Sequence, residues 1–212
     1  MKYNRLTCFL TGLVLLILFL LLSTAVYMDL NWVQTLDILG DQWLRVGISD
    51  RFTSFFHEIT MLAETGIIAL FSVILLLILF IYKKGIVSTW TLGTIIICGM
   101  LTPQLLEILV LREQPDYGLI YAGGYSFPSG HATMATVFYG ITLMWTLNFV
   151  KDGWLKQIIV IMMPILIILI AWSRVYLGVH YLSDVIGGLL LGSGQLLIAT
   201  SLYWKYQERP RG

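Results

Sequence analysis

Residues 157–204 read QIIVIMMPILIILIAWSRVYLGVHYLSDVIGGLLLGSGQLLIATSLYW. Two long apolar runs, residues 157–173 and 182–204, lie on either side of a short polar segment with an arginine and a histidine. A helix needs about 20 mostly apolar residues to cross roughly 30 Å of hydrocarbon. Each run is therefore predicted to be a membrane-spanning helix, and the polar segment between them to lie at one membrane surface.

The rest of the chain has the same character. Its 212 residues are 58% hydrophobic and 12% charged, with a mean hydropathy of +0.85, which excludes a single soluble core with a polar surface. The predicted spans are residues 8–28, 60–82, 90–111, 131–150, 157–173 and 182–204. Because no internal repeat or linker is visible, we predict one domain over residues 1–212.

Two function classes receive no support from the composition. The net charge is +1 and no basic cluster is present, so a nucleic-acid partner is not expected. Cys8 and Cys98 both lie in apolar runs and indicate neither a disulfide framework nor a metal site.

Lys2 and Arg5 precede an apolar stretch as in a signal peptide, but that stretch is long and lacks a small-x-small cleavage site. We therefore expect a retained first helix.

The basic residues predict how the chain is oriented in the cell membrane. Cytoplasmic loops carry the excess of Lys and Arg. If the N-terminus is inside, nine of the 13 basic residues fall inside, namely Lys2, Arg5, Lys83, Lys84, Lys151, Lys156, Lys205, Arg209 and Arg211. Both termini are thus predicted to be cytoplasmic, and the polar segments that follow the third and fifth spans to be extracytoplasmic.

Residues 29–57 lie outside in this topology and are too charged to span the membrane. Apolar side chains recur there at nearly helical spacing, at Leu30, Val33, Leu36, Leu39, Trp43 and Val46. This pattern predicts an amphipathic helix on the outer leaflet. A helix packed over the mouth of the bundle is an equal alternative. The predicted fold class is all-α, an integral membrane bundle of six transmembrane helices plus an outer amphipathic helix.

The fourth span begins with the motif Phe-Pro-Ser-Gly-His at residues 127–131. Proline suits the first turn of a helix, and backbone N–H groups of Ser129 and Gly130 at a helix start favour an anion. His131 could then protonate a leaving oxygen. A plain helix start with a histidine at headgroup depth is the alternative for this short motif.

The segment between the fifth and sixth spans contains Arg174, His180 and Asp184. Residues four apart at a helix start share one face, so the Asp184 carboxylate is expected to hold the imidazole of His180 with Nε2 free. This is the arrangement of a nucleophile and the group that orients it. Arg174 adds a permanently charged fork suited to phosphate oxygens.

Together these residues resemble the type 2 phosphatidic acid phosphatase superfamily, which also includes vanadium-dependent haloperoxidases. Its Pro-Ser-Gly-His motif matches residues 128–131, and its Ser-Arg-x5-His-x3-Asp motif matches residues 173–184. The resemblance implies six transmembrane helices and a phosphohistidine formed on His180, with Asp184 in support and His131 as proton donor. It also implies that Ser129, Gly130 and Arg174 hold the phosphoryl oxygens, with no metal and no cofactor.

The first family motif, Lys-x6-Arg-Pro, is altered in this chain. Alignment on Pro115 places Glu107 at the lysine position and Gln114 at the arginine position. Arg112, two positions before the motif arginine, is the expected substitute cation. Arg112 and Gln114 therefore join the predicted phosphate-binding residues.

The predicted function is a membrane lipid phosphatase that hydrolyses a phosphomonoester or pyrophosphate. Phosphatidylglycerol phosphate, phosphatidic acid and undecaprenyl pyrophosphate are the substrates that the resemblance implies. Alternatives are a lipid-binding or scaffolding member with weak or no catalysis, a lipid-headgroup phosphotransferase, or a small transporter. Of the remaining residues, His57 is predicted to be interfacial, Glu58 and Glu64 to be solvated at a helix end or to line the substrate entrance, and Gly188 and Gly192 to pack helices.

Overall fold

A computed structural model of the protein describes residues 4–82 and 85–208. Every regular element in these two ranges is helical, as predicted. The helices are α1 (Arg5–Tyr27), α2 (Asn31–Leu44), α3 (Asp50–Met61), α4 (Thr65–Ile81), α5 (Gly85–Thr94), α6 (Thr102–Val110), α7 (Gly130–Phe149), α8 (Trp154–Tyr176) and α9 (Leu182–Gln207), with a π-helical turn (Ile95–Leu101) between α5 and α6. Five basic residues used in the orientation prediction lie outside the described ranges, namely Lys2, Lys83, Lys84, Arg209 and Arg211.

Several helices are long and apolar enough to cross a membrane. Among the described residues four stretches meet this condition, which are α1, the continuous segment Gly85–Val110, α8 and α9. The pair α3 and α4, bent by 46°, would make a fifth span. Large apolar side chains on these helices are exposed, as a lipid-facing surface requires. The chain is therefore a multi-pass membrane protein.

Helix α7 corresponds to the fourth predicted span but is the least lipid-like of the set. It packs against α8, α9 and the π-helical turn, and most of its first half is buried. A helix that is surrounded by other helices contacts protein instead of lipid, so its side chains need not be strongly apolar. Its central position explains why this helix has only moderate hydropathy.

Helix α9 approaches its neighbours closely through glycines. A Cβ atom on Gly188 would lie 2.7 Å from the carbonyl oxygen of Ser129, and one on Gly192 would lie 2.9 Å from that of Thr133. The predicted packing role of these two glycines is thereby confirmed. The contact fixes the start of α7 beside the first half of α9.

The outer segment differs from the single amphipathic helix that the sequence predicts. It forms two helices, α2 and α3, and α2 packs on α8 and α9. The buried residues of α2 are Val33, Asp37 and Gly40, whereas Leu39 and Trp43 are exposed. The alternative of a helix packed over the bundle agrees with these contacts. Of the predicted apolar positions, Val33 lies on the buried face, whereas Leu39 and Trp43 lie on the exposed one. Asp37 and Gly40 complete the buried face, although neither gives an apolar signal.

Candidate active site

One cavity of about 350 Å³ opens among the ends of α3, α6, α7 and α8. Its lining combines basic, acidic and aromatic side chains, which include His57, Glu64, Glu107, Tyr121, Tyr125, His131, Arg174 and His180. His131 and His180 come from motifs 49 positions apart in the sequence. The structure therefore brings the two predicted motifs to one site, together with Arg174.

His180 lies in the short turn between α8 and α9. Its backbone N–H and that of Val179 both donate to the carbonyl oxygen of Arg174, at 3.3 and 3.2 Å. Its Nδ1 lies 2.8 Å from the carbonyl oxygen of Ser126. A carbonyl oxygen can only accept, so Nδ1 carries the hydrogen and Nε2 keeps its lone pair.

The surroundings of His180 favour a neutral imidazole. Burial lowers the pKa of His180, with a further contribution from the Arg174 charge, while the Asp184 carboxylate and the Ser126 carbonyl act in the opposite direction. The net shift is downward. A neutral imidazole with a free Nε2 is the form that can act as a nucleophile.

Asp184 does not hold His180 in the way that the sequence predicts. Its Oδ2 lies 3.8 Å from His180 Nδ1, which is too long for a hydrogen bond. The same oxygen accepts a hydrogen bond from the Ser126 hydroxyl and one of 2.7 Å from the Tyr181 backbone N–H. Asp184 therefore acts on the imidazole through Ser126, a residue that the sequence reasoning missed.

His131 is the second residue of α7. Ser129 caps this helix, because its hydroxyl accepts from the N–H of Ala132 at 3.4 Å. The Nε2 of His131 lies 3.4 Å from Oε2 of Glu64. Glu64 thus lines the cavity, which is one of the two places that the sequence left open for it.

Of the two residues predicted to bind phosphate at the start of α7, Gly130 lies at the cavity and Ser129 does not. Gly130 lines the cavity, and the first-turn N–H groups of Gly130 and His131 have no partner within the helix. Ser129 is fully buried, and its N–H donates to the carbonyl oxygen of Asp184 at 3.0 Å. Ser129 therefore caps α7 through its hydroxyl and joins α7 to α9 through its backbone N–H.

Arg174, near the end of α8, is the arginine that reaches the cavity. Its side chain is only 3% exposed, and Nη1 donates to the hydroxyl of Thr60 at 2.9 Å. Its Nε has no hydrogen-bond partner among the described residues. A buried guanidinium with an unused donor is suited to an anionic oxygen.

Arg112 does not replace the missing phosphate ligands of the first motif. Its guanidinium donates to Asp184 Oδ1 and to Asp37 Oδ2, each at 2.6 Å, and to the Ser183 hydroxyl at 2.7 Å. Asp184 and Asp37 raise the pKa of Arg112 even though burial opposes them. Arg112 is absent from the cavity lining because these carboxylates hold it behind the site.

Gln114 also lies away from the cavity. Its Nε2 donates to the carbonyl oxygen of Gly123 at 3.2 Å, so it braces the loop before α7. The prediction that Arg112 and Gln114 contact phosphate is corrected by these contacts.

Asp37 is a second residue that the sequence did not single out. Besides Arg112, it accepts from the Ser183 backbone N–H at 2.8 Å and from the Ser183 hydroxyl at 3.0 Å. A carboxylate on α2 therefore caps the start of α9, beside Asp184. A lone aspartate in an amphipathic helix reads as solvated, so no local sequence signal could have revealed this role.

The site brings two histidines and a buried arginine around one space. Among the described residues, no group of three or more His, Cys, Asp and Glu side chains is arranged to hold a metal ion. A buried arginine can bind an anionic oxygen, and an imidazole with a free ring nitrogen can accept a transferred group.

Comparison with known proteins yields one family and several relatives. The sequence model of the PAP2 superfamily matches residues 89–208. Phosphatidylglycerophosphatase B of Bacillus subtilis is 33% identical over 121 residues, which cover 54% of this chain and 57% of that protein. The undecaprenyl-diphosphatase of Sulfolobus acidocaldarius is 44% identical over 69 residues, or 32% of this chain and 29% of that one. The chain thus spans about half or less of the length of these curated relatives.

Two solved structures are similar over more of the chain. A transmembrane PAP2-type phosphatidylglycerolphosphate phosphatase from Bacillus subtilis has a TM-score of 0.81 at 25% identity, over 95% of this chain and 99% of that one. LpxE of Aquifex aeolicus has a TM-score of 0.57 at 23% identity, over 77% and 92% of the two chains. The second likeness concerns the fold alone.

Proposed function

The chain belongs to the PAP2 superfamily, and on that premise we propose that it is a lipid phosphatase that uses His180 as its nucleophile. The observation that carries the proposal is the geometry of His180. It lines the cavity while its Nδ1 hydrogen is engaged by the Ser126 carbonyl, so Nε2 is the nitrogen left for chemistry. His131 and Arg174 line the same cavity.

In the first step the Nε2 lone pair of His180 attacks phosphorus and forms a P–N bond. The P–O bond to the lipid breaks, and His131 gives its proton to the leaving oxygen. Arg174 and the N–H groups at the start of α7 stabilise the charge that builds on the remaining phosphoryl oxygens. The products of this step are the dephosphorylated lipid and a phosphohistidine.

In the second step a water molecule attacks the phosphohistidine. His131, now neutral, takes a proton from that water, the P–N bond breaks, and inorganic phosphate leaves. The net change is one phosphate bond hydrolysed by one water. Because both steps run through the two histidines, we propose that activity needs no metal ion and that EDTA leaves it unchanged.

The proposed substrates are lipids with a terminal phosphate. The names of the relatives support phosphatidylglycerol phosphate and undecaprenyl pyrophosphate, and phosphatidic acid is the third candidate. A cavity at one end of a helical bundle receives a phosphate that is already held at the membrane surface. This location favours lipids over soluble phosphate esters.

We also propose that the chain forms one domain with six membrane spans, in which α7 is the span beyond the four or five with the required length and apolarity. Each of the six predicted spans coincides with a helix or with the bent helical stretches described above. The distribution of basic residues supports cytoplasmic termini, which would place the cavity on the extracytoplasmic face.

One observation favours a second candidate, a member that binds lipid with weak or no catalysis. Glu107 lines the cavity where the family motif has a lysine, so the site holds a carboxylate in place of a cation. A lipid-headgroup phosphotransferase would share the first step and differ only in the acceptor. Both candidates are separated from the hydrolase by the same assay.

The test is phosphate release by the purified protein in detergent, in EDTA, from a panel of phospholipid and polyprenyl phosphates. His180→Ala should lower kcat by at least about a thousandfold, and rapid quenching of the unaltered protein should trap an acid-labile phosphohistidine. Glu58→Ala, an exposed position on α3 outside the cavity lining, is the control. Release from no substrate would favour the binding role, and transfer to an added lipid alcohol without free phosphate would favour the transferase.

A further inference from the structure

The cavity contains two carboxylates beside its arginine. Glu107 Oε2 lies 3.0 Å from the position of a Cβ on Gly124, and Oε1 lies 3.5 Å from that of a Cβ on Gly130. The Glu107 carboxylate is therefore held against the first residue of α7. Glu64 approaches His131, with its Oε2 3.4 Å from the imidazole Nε2.

Glu107 has no cation to neutralise it. Among the described residues no Lys, Arg or His side-chain nitrogen lies within 4.0 Å of its carboxylate. Arg112, the nearest basic residue in the sequence of that loop, is held by Asp37 and Asp184 instead. A second negative group, the phosphate of a lipid, would repel Glu107 across this small cavity.

Arg174 nevertheless indicates that the cavity can bind an anion. Its guanidinium is almost completely buried and its Nε lacks a partner in the described part of the chain. The lining thus holds a buried arginine on α8 with one unused donor and a carboxylate on α6 that has no cationic partner among the described residues. A ligand that carries both signs of charge would satisfy the two groups at once.

We propose that the site selects a lipid phosphomonoester that bears an ammonium group close to its phosphate, with Glu107 as the residue that recognises the ammonium. The inference rests on the proposed phosphatase function and narrows its substrate class. The phosphate occupies the space between Arg174 and His180, and the ammonium lies against Glu107, with Glu64 nearby. Glu107 is then a specificity-determining residue, since it contacts substrate without taking part in bond making.

The positive charge could also come from a divalent cation carried by the phosphate. The experiment separates the two sources. It compares sphingosine 1-phosphate with its N-acetyl derivative, which has the same phosphate and backbone but no charged amine. Each lipid is assayed in EDTA and again with added Mg²⁺.

In EDTA the unaltered protein should show a kcat/KM about fivefold higher for the free amine than for the N-acetyl lipid, the upper end expected for one partly exposed charge pair. Glu107→Gln should bring the ratio close to one, and Glu107→Lys should invert it. Glu58→Gln, outside the cavity, should leave it unchanged. Because each ratio is internal to one protein sample, a partly misfolded variant still reports its preference.

Three results would overturn the inference. Equal kcat/KM values for both lipids in the unaltered protein would remove the preference, while their measurable phosphate release would keep the proposed function. A ratio that survives in Glu107→Gln would exclude Glu107 as the recognising group. If Mg²⁺ raises the kcat/KM for the N-acetyl lipid to that for the free amine, the positive charge comes from a metal ion. Failure to release phosphate from any lipid would instead contradict the proposed phosphatase function.

Discussion

His180 has two ring nitrogens with different neighbours, and this difference decides its chemistry. Nδ1 faces the Ser126 carbonyl at 2.8 Å, and the Ser126 hydroxyl in turn contacts Asp184. The aspartate is thus linked to the histidine through one intervening residue. Burial and the Arg174 charge, which outweigh these two contacts, lower the pKa of His180 and favour its neutral form.

The lowered pKa of His180 predicts a particular pH dependence. A histidine must be neutral to attack, and a pKa below the ordinary value of about 6.5 keeps it neutral in more acidic solution. The acidic limb of the kcat/KM profile should therefore lie below pH 6.5, with activity lost as the pH falls through the lowered value. Titration of the lipid phosphate by 31P NMR in the same micelles allows its own ionisation to be divided out. An acidic limb above pH 6.5 after that correction would contradict the assignment.

At the level of elements, α2 packs against the start of α9 beside the active site. Its buried face carries Asp37 and Gly40, which both contact the start of α9. A Cβ on Gly40 would lie 2.5 Å from the Cβ of Leu182. The absence of a side chain at Gly40 therefore allows Asp37 to reach Ser183 and Arg112.

This contact predicts the effect of Gly40→Val. The added side chain pushes α2 away from α9, an overpacking that costs about 1–3 kcal/mol, and withdraws Asp37 from the network behind Asp184. Thermal unfolding in detergent should shift down by several degrees, by the usual size relation, and kcat should fall with it. Gly93→Val in α5 is the matched control, because no atom lies within 4 Å of a Cβ there. Equal losses in both variants would speak against a specific α2–α9 contact.

At the scale of the whole molecule, α7 and α9 bring the motifs together. Close glycine contacts hold α9 against α7, and both helices begin at the same end of the bundle as the cavity. Residues from four helices and three loops therefore converge on one space. The sidedness of that end determines which leaflet delivers the substrate.

Cysteine labelling in intact cells tests this sidedness. Tyr121→Cys, at a position 94% exposed beside the cavity, should react with a membrane-impermeant maleimide. Asp152→Cys, whose native side chain is 90% exposed in the α7–α8 loop, should react only after the cells are opened. Both are made with Cys8→Ala and Cys98→Ala so that no native thiol competes. The reverse pattern would overturn the proposed orientation.

The sequence by itself determined the helical membrane fold and the identity of His131, Arg174 and His180 as cavity residues. These features are local: apolar runs as long as the hydrocarbon is thick predict spans, and short motifs at helix ends predict where polar groups gather. The resemblance carried by those motifs also led to the correct family. Gly188 and Gly192 were predictable for the same reason, since their spacing alone places them on one helix face.

The contacts between the side chains of the site follow from the tertiary structure alone. The contacts of the site join residues far apart in the sequence: Ser126 is 54 positions from His180, Asp37 is 146 from Ser183, and Thr60 is 114 from Arg174. The sequence around each of these residues does not indicate its partner. Arg112 seemed free to bind phosphate because its chain neighbours do not include Asp37. A buried charge pairs with the partner that folding brings close to it. In the altered first motif, Glu107 therefore lies in the cavity, while Arg112 is held behind it by Asp37 and Asp184.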